Sequence, residues 1–97
     1  MQNLITQIGV IHWIGVTNIY NFLRDTNNPI GLYLAGCQNA SDNPFSGNVS
    51  LGLIYKASAN GNYSVVFIIA GNRLAISDQL GTTQTSLTWH SKVAPFN

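Results

Sequence analysis

The stretch Tyr63-Ser-Val-Val-Phe-Ile-Ile69 decides the fold class, because its residues are mostly β-branched or aromatic. The pair Gly71-Asn72 comes shortly after it and leads into Leu74-Ala-Ile76. Glycine takes the positive φ that a tight hairpin requires at its first turn position, so the two runs are predicted to form a β-hairpin. Because the first run is apolar on both faces, we expect a central strand, or a strand that lies between a core and a neighbouring subunit.

On both sides of this hairpin, turn signals recur at the short spacing that is typical of sandwiches and barrels. The apolar segment 4–16 is predicted to hold one or two strands, with a short helix at its start as the alternative. The remaining predicted strands are 18–24, 31–38, 49–57 and 87–93, and the predicted turns and loops are 25–29, 39–48, 59–61 and 78–85. We therefore expect one all-β domain over residues 1–97, a small antiparallel β-sandwich or barrel-like domain.

The composition limits the class of function. Only 7% of the 97 residues are charged and glutamate is absent, whereas about 25% is usual in soluble domains. Asn, Gln, Ser and Thr must make the surface polar, and no electrostatic repulsion keeps copies of the chain apart. This composition suits permanent subunit packing or a carbohydrate-facing surface, and it suits a free cytoplasmic enzyme poorly.

Several partners and compartments are not expected. The formal net charge is +1 and the cations are spread singly, so no nucleic-acid partner is predicted. Polar residues interrupt every apolar run before membrane length, so no membrane insertion is predicted. Without the pattern of a secretory signal, we expect a protein that works outside cells to be released by lysis or within a particle. Cys37 is the single cysteine and is predicted to be a small buried hydrophobe.

The inventory of reactive groups predicts neither catalysis nor a cofactor. His12 and His90 are the two histidines, and no Gly-x-Ser-x-Gly elbow occurs. The three aspartates all lie in predicted turns, where capping is their usual role. Two histidines and scattered aspartates predict no metal site, although the axis of a trimer could gather three copies of one histidine.

A non-covalent ligand site is the alternative that the side chains allow. Sugars bind aromatic faces through their C–H surfaces, and planar amides or arginine through their hydroxyls. Trp89 is either such a platform or a cover for one end of the domain. Arg73 is preferred over the other cations because its planar fork can hold two hydroxyls. The predicted ligand-binding residues are Trp89, Arg73, Asn72, His90 and Tyr55.

The order of these signals is similar to that of the knob-like domains at the ends of phage tail fibres and of tail-derived bacteriocin fibres. The residues that carry the resemblance are Ile19-Tyr20, Asn43-Pro44-Phe45-Ser46-Gly47, Leu51-Gly52, Asn60-Gly61-Asn62-Tyr63, Gly71-Asn72-Arg73-Leu74-Ala75 and Trp89. The resemblance covers most of residues 15–93. The chain departs from the pattern in its apolar N-terminal segment, in a second Asn-Pro turn at Asn28-Pro29, and in having a single tryptophan near the end where a pair is common. It implies a small β domain on a trimeric fibre that binds bacterial surface glycans without chemistry.

Two functions follow as expectations. The first is a receptor-binding tip domain of a phage tail fibre, in the virion or outside cells, with a host surface glycan as its partner. The second is a structural virion protein (a decoration, cement or fibre-base subunit) that binds other particle proteins. In both, residues 17–97 are the knob-like domain, residues 1–16 offer an assembly contact, and copies of the chain form an oligomer, expected to be a trimer. The predicted oligomer contacts are Ile8, Val10, Ile14, Val66 and Ile68.

Overall fold

The computed structural model describes residues 13–45 and 49–95. Six strands form one sheet in the order β1-β2-β3-β4-β5-β6. The elements are β1 (Trp13–Gly15), α1 (Ile19–Arg24), β2 (Gly31–Gly36), β3 (Leu51–Lys56), β4 (Val65–Ala70), β5 (Arg73–Ser77) and β6 (Trp89–Val93). The all-β prediction is confirmed. The strands lie in one sheet, and a helix with loops takes the place that a second sheet would have in a sandwich.

The strand pairing is antiparallel from β2 to β6, whereas β1 pairs with β2 in parallel. A parallel neighbour requires a crossover, and α1 lies on that connection. The core lies where α1 and the loops meet one side of the sheet, which we call the covered face. Its buried side chains include Ile19 and Leu23 of α1, Ala40 and Phe45 of the loop after β2, and Leu80 of the loop after β5.

The covered face follows the alternation of the strands. Ile54, Val66 and Ile68 point toward the helix and loops and are fully buried. Small residues lie beside these side chains. Ala35 on β2 pairs with Gly52 on β3, and Gly52 pairs with Ile68 on β4. A Cβ at Gly52 would lie 2.6 Å from the Cys37 sulfur, so the close packing of this layer depends on the missing side chain. Cys37 is itself buried, as predicted.

The predicted strand 18–24 is wrong, because Ile19–Arg24 form the helix α1 and Asn18 is its N-cap. The Asn18 side chain accepts a hydrogen bond from the Asn21 amide at 2.8 Å and caps the first turn. Residues Ile19 and Leu23 are four apart, so on a helix they share one face, and both are fully buried. An apolar residue at every second position also places apolar residues four positions apart, as a helix requires. Burial of Ile19 and Leu23, together with the Asn18 cap, favours the helix.

The central hairpin and the turns are as predicted. β4 and β5 pair antiparallel across Gly71-Asn72, and Gly71 has φ +63°. The predicted loops and turns at 25–29, 59–61 and 78–85 contain no strand or helix, and neither does the described part of 39–48. Of the predicted strand region 4–16, residues 13–16 are described, and Trp13–Gly15 form β1.

The predicted oligomer contacts Val66 and Ile68 require a correction. Both side chains are fully buried in the chain's own core and cannot contact a partner. Because side chains alternate along a strand, their neighbours Phe67 and Ile69 face the other way. Ile14 is partly buried against the core. Ile8 and Val10 lie outside the described residues.

Candidate functional site

Over residues 13–45 and 49–95, no helix or loop packs on the second side of the sheet. This side carries large apolar side chains on four neighbouring strands, and we call it the open face. The register places Leu53, Phe67 and Ile76 in one row across β3, β4 and β5, and Leu51, Ile69 and Leu74 in the next. The exposed members of the open face are Leu32, Leu51, Tyr55, Phe67, Ile69 and Ile76.

The exposure of these side chains is large for apolar groups in the middle of a sheet. Ile69 is 47% exposed and Phe67 is 37% exposed, although both belong to the central strand β4. Single exposed apolar residues are common on monomers, but contiguous apolar patches larger than a few hundred Å² usually mark an interaction site. The open face is such a patch.

Charged groups lie at one edge of the open face. His90 Nε2 lies 2.8 Å from the Asp78 carboxylate, and both side chains are more than half exposed. Lys92 follows on β6, opposite Leu74. A shallow groove between β5 and β6 is lined by Leu74, Ile76, His90, Ser91 and Lys92. The two rows around Phe67 and Ile69 are therefore apolar, and the charged groups lie along β6 and at the end of β5.

The predicted ligand residues Trp89 and Arg73 both lie on the covered side, at opposite ends of the β5–β6 pair. Trp89 pairs with Ser77, four residues along β5 from Arg73, which at ~3.3 Å per residue separates them by roughly 13 Å. Trp89 is partly buried against the core. The Arg73 guanidinium lies 4.7 Å from the centre of the Phe45 ring, a cation–π contact within the chain.

The other three predicted ligand residues are dispersed. Tyr55 on β3 and His90 on β6 belong to the open face, three strands apart, and Asn72 is exposed in the β4–β5 turn. The structure does not bring the five predicted residues into one concave site. Their role in ligand binding stays a prediction.

The aspartates have structural partners. The Asp42 carboxylate accepts hydrogen bonds from the backbone amides of Ile19 and Tyr20 at 2.8 and 2.9 Å, at the start of α1. Asp25 accepts one from the Asn27 amide at 2.9 Å, and Asp78 faces His90. Within residues 13–45 and 49–95, no three His, Cys, Asp or Glu side chains come together as a group that could hold a metal ion.

The Cys37 thiol is poorly suited to act as a nucleophile. Burial raises its pKa to about 11, and the Asp42 carboxylate adds to the rise. Since the thiolate is the nucleophile, a thiol that stays protonated up to this pH is inert under ordinary conditions.

Lys56 is buried in the core, which the sequence analysis did not anticipate. Its ammonium donates hydrogen bonds to the backbone carbonyls of Asp25 and Asn28, the second at 2.7 Å. Burial lowers the pKa of Lys56, and the nearby charge of Asp25 opposes this effect. With backbone carbonyls as its partners, Lys56 secures the turn after α1 to the end of β3.

Arg24, at the end of α1, joins three parts of the chain. Its guanidinium donates to the Asn62 side chain at 2.6 Å and to the Asn60 carbonyl at 3.1 Å. The same group donates to the carbonyls of Gly81 and Gln84 at 2.8 and 3.0 Å. This charge is therefore used to hold loops together.

Fold and surface together define a class: a small all-β domain with one covered and one open sheet face. No protein-family model, no curated protein and no solved structure matches the chain. In the part of the chain that the structure describes, no helix has the length and apolar character to cross a membrane.

Proposed function

We propose that the chain is a non-catalytic structural subunit of a phage particle and assembles through the open face of its sheet. The observation that carries this proposal is the apolar surface on four adjacent strands, centred on Phe67 and Ile69. Burying such a surface against protein is favourable at about 25 cal/mol per Å². The low charge of the chain adds no repulsion against close packing.

The phage assignment rests on the resemblance of residues 15–93 to fibre knobs, and the structural role rests on the open face. A receptor-binding tip is the second candidate. It is favoured by one observation, the exposure of Tyr55 and His90 on the open face and of Asn72 in the adjoining turn. It is the weaker candidate because the aromatic and polar groups that would hold a sugar are dispersed.

The two functions are separated by producing tagged chains in cells infected by the phage that encodes them. A structural subunit sediments with the purified particles, and Phe67→Lys removes it from them because a charge then lies within the contact surface. The matched control is Val93→Lys, since Val93 is also exposed but lies at the outer edge of β6 and points to the other side. This control variant is expected to stay in the particle.

A glycan array with the same proteins completes the test. Saturable glycan binding that Asn72→Ala and Tyr55→Ala weaken, and that Phe67→Lys spares, would establish the tip and contradict the structural role. Absence from particles combined with no glycan binding would contradict both candidates.

A further inference from the structure

We infer that the occupant of the open face is another copy of this chain, packed face to face so that two sheets enclose a shared apolar layer. The inference rests on the proposed function, because it names the partner of the same surface. Its first support is that the strands of the described residues form one sheet. Two copies would supply the sheet-on-sheet arrangement with a core ~10 Å thick that single-sheet domains of this kind lack.

The size of the open face fits such a contact. The open face covers the strands β2 to β6, each five or six residues long. At ~4.8 Å between strands and ~3.3 Å per residue, they give a flat area of about 440 Å². Two copies bury twice this projection, about 900 Å², and more because a rough surface exceeds its projection. The total approaches the lower end of the range of roughly 1,200–2,000 Å² for stable interfaces. The area of one face lies within the roughly 300–600 Å² of the largest patch on a typical monomer, and such patches are often functional.

The distribution of charge favours a copy over other partners. In a contact between identical chains a patch meets itself, so it must be self-complementary. The rows around Phe67 and Ile69 are apolar, and Asp78, His90 and Lys92 at the β6 edge carry both signs of charge. Such a face can meet its own copy without burying a charge at the centre.

Two other partners fit the open face less well. A sugar needs hydrogen-bond donors and acceptors, and the central rows have apolar side chains. An anionic lipid surface attracts clusters of cations, and Lys92 is the single lysine or arginine on the described part of this face.

The test is sedimentation equilibrium of the purified chain at micromolar concentration. The wild-type protein is expected to have a mass of at least two chains of 10.5 kDa. Ile69→Lys should weaken this self-association by roughly 100-fold or more, because each contact then contains two unpaired ammonium groups. Val93→Lys adds the same charge outside the open face and should leave the mass unchanged.

A second variant controls for the case in which Ile69→Lys fails to associate because it is misfolded. Leu51→Lys places the charge in the same row on β3, and circular dichroism must show the wild-type sheet content in each variant that is used. A folded, monomeric Ile69→Lys or Leu51→Lys beside an oligomeric Val93→Lys supports the inference.

Three results would overturn the inference. The first is a wild-type monomer or trimer, since a face that meets its own copy closes at two chains. The second is an oligomer that Ile69→Lys and Leu51→Lys leave intact. The third is a monomer that floats with anionic lipid vesicles, which would assign the face to a membrane. A wild-type monomer that still enters particles through Phe67 would leave the proposed function standing, so the two failures can be told apart.

Discussion

At the scale of single residues, the environment of Cys37 makes stability depend on pH. Its thiol has a pKa of about 11 in the fold, against an ordinary value near 9. Between these values the unfolded chain releases the proton and the folded chain keeps it. The free energy of unfolding therefore falls as the pH rises from 9 to 11, by on the order of 2 kcal/mol from this group.

The measurement is chemical denaturation of wild type and Cys37→Ala at several pH values between 8 and 11. The difference in the free energy of unfolding between the two proteins gives the contribution of the thiol alone. The lowered pKa of Lys56 makes stability rise with pH, and this contribution is common to both proteins and cancels. If this difference in unfolding free energy stays constant from pH 8 to pH 11, the buried thiol does not cause the loss of stability.

Two glycines with positive φ offer a matched pair of substitutions. A Cβ at Gly61 would lie 2.4 Å from the Leu23 carbonyl oxygen, whereas a Cβ at Gly71 would meet nothing within 4 Å. Gly71→Ala is expected to cost about 1–2 kcal/mol of stability through backbone strain alone. Gly61→Ala should cost about 2 kcal/mol more, because α1 must move away.

Urea denaturation of both variants checks this prediction. Equal losses of stability in Gly61→Ala and Gly71→Ala would mean that the turn at Gly61 does not pack tightly against α1.

At the scale of elements, Arg24 joins α1 to the β3–β4 turn and to the loop before β6. Arg24→Lys keeps the charge and removes the planar fork that reaches four oxygens at once. We expect a loss of about 2–3 kcal/mol, since hydrogen bonds to charged groups are worth about 1.5–3 kcal/mol each. Arg73→Lys is the control, and its stacking on Phe45 predicts a loss of no more than about 1 kcal/mol.

Thermal and urea unfolding of the two variants measure the difference. Hydrogen exchange would locate it, because Arg24→Lys should expose the amides of residues 60–62 and 80–84 first. Similar losses in both variants would show that the arginine fork is not what holds these loops.

The elements themselves were largely predictable from the sequence. Gly71-Asn72 between two β-branched runs is a strong local signal, and the hairpin formed where it was expected. The segment 18–24 misled because Ile19 and Leu23 satisfy both a two-residue and a four-residue period. The cap at Asn18 and the distant carboxylate of Asp42 decide for the helix, and the second of these is a tertiary contact that local patterns do not contain.

At the scale of the whole molecule, the choice of the core side was not predictable. β4 is apolar at every position, so Val66 and Ile68 were as good candidates for an outer surface as Phe67 and Ile69. The decision depends on α1 and the loops, which pack on one side through contacts far apart in sequence. The predicted binding residues were dispersed for a related reason, since Trp89 and His90 are neighbours on one strand and face opposite ways.

A pair of aspartate substitutions tests the assignment of the two faces. Val66→Asp should prevent folding, because a fully buried carboxylate without a partner costs several kcal/mol. Phe67→Asp should leave the fold intact and abolish assembly. Circular dichroism and sedimentation distinguish these outcomes, and a folded Val66→Asp with an unfolded Phe67→Asp would reverse the faces.

The buried ammonium of Lys56 has a consequence for how the strands align. Where both faces of a strand are apolar, a register shift by one residue exchanges the two faces at little hydrophobic cost. Hydrophobicity alone therefore specifies the register of such a strand weakly. Such a slip would carry Lys56 away from the two carbonyls that receive it and put the Tyr55 ring beneath the turn. One cation in the interior thereby penalises every misaligned pairing of β3, which is a form of specificity that the apolar residues around it do not supply.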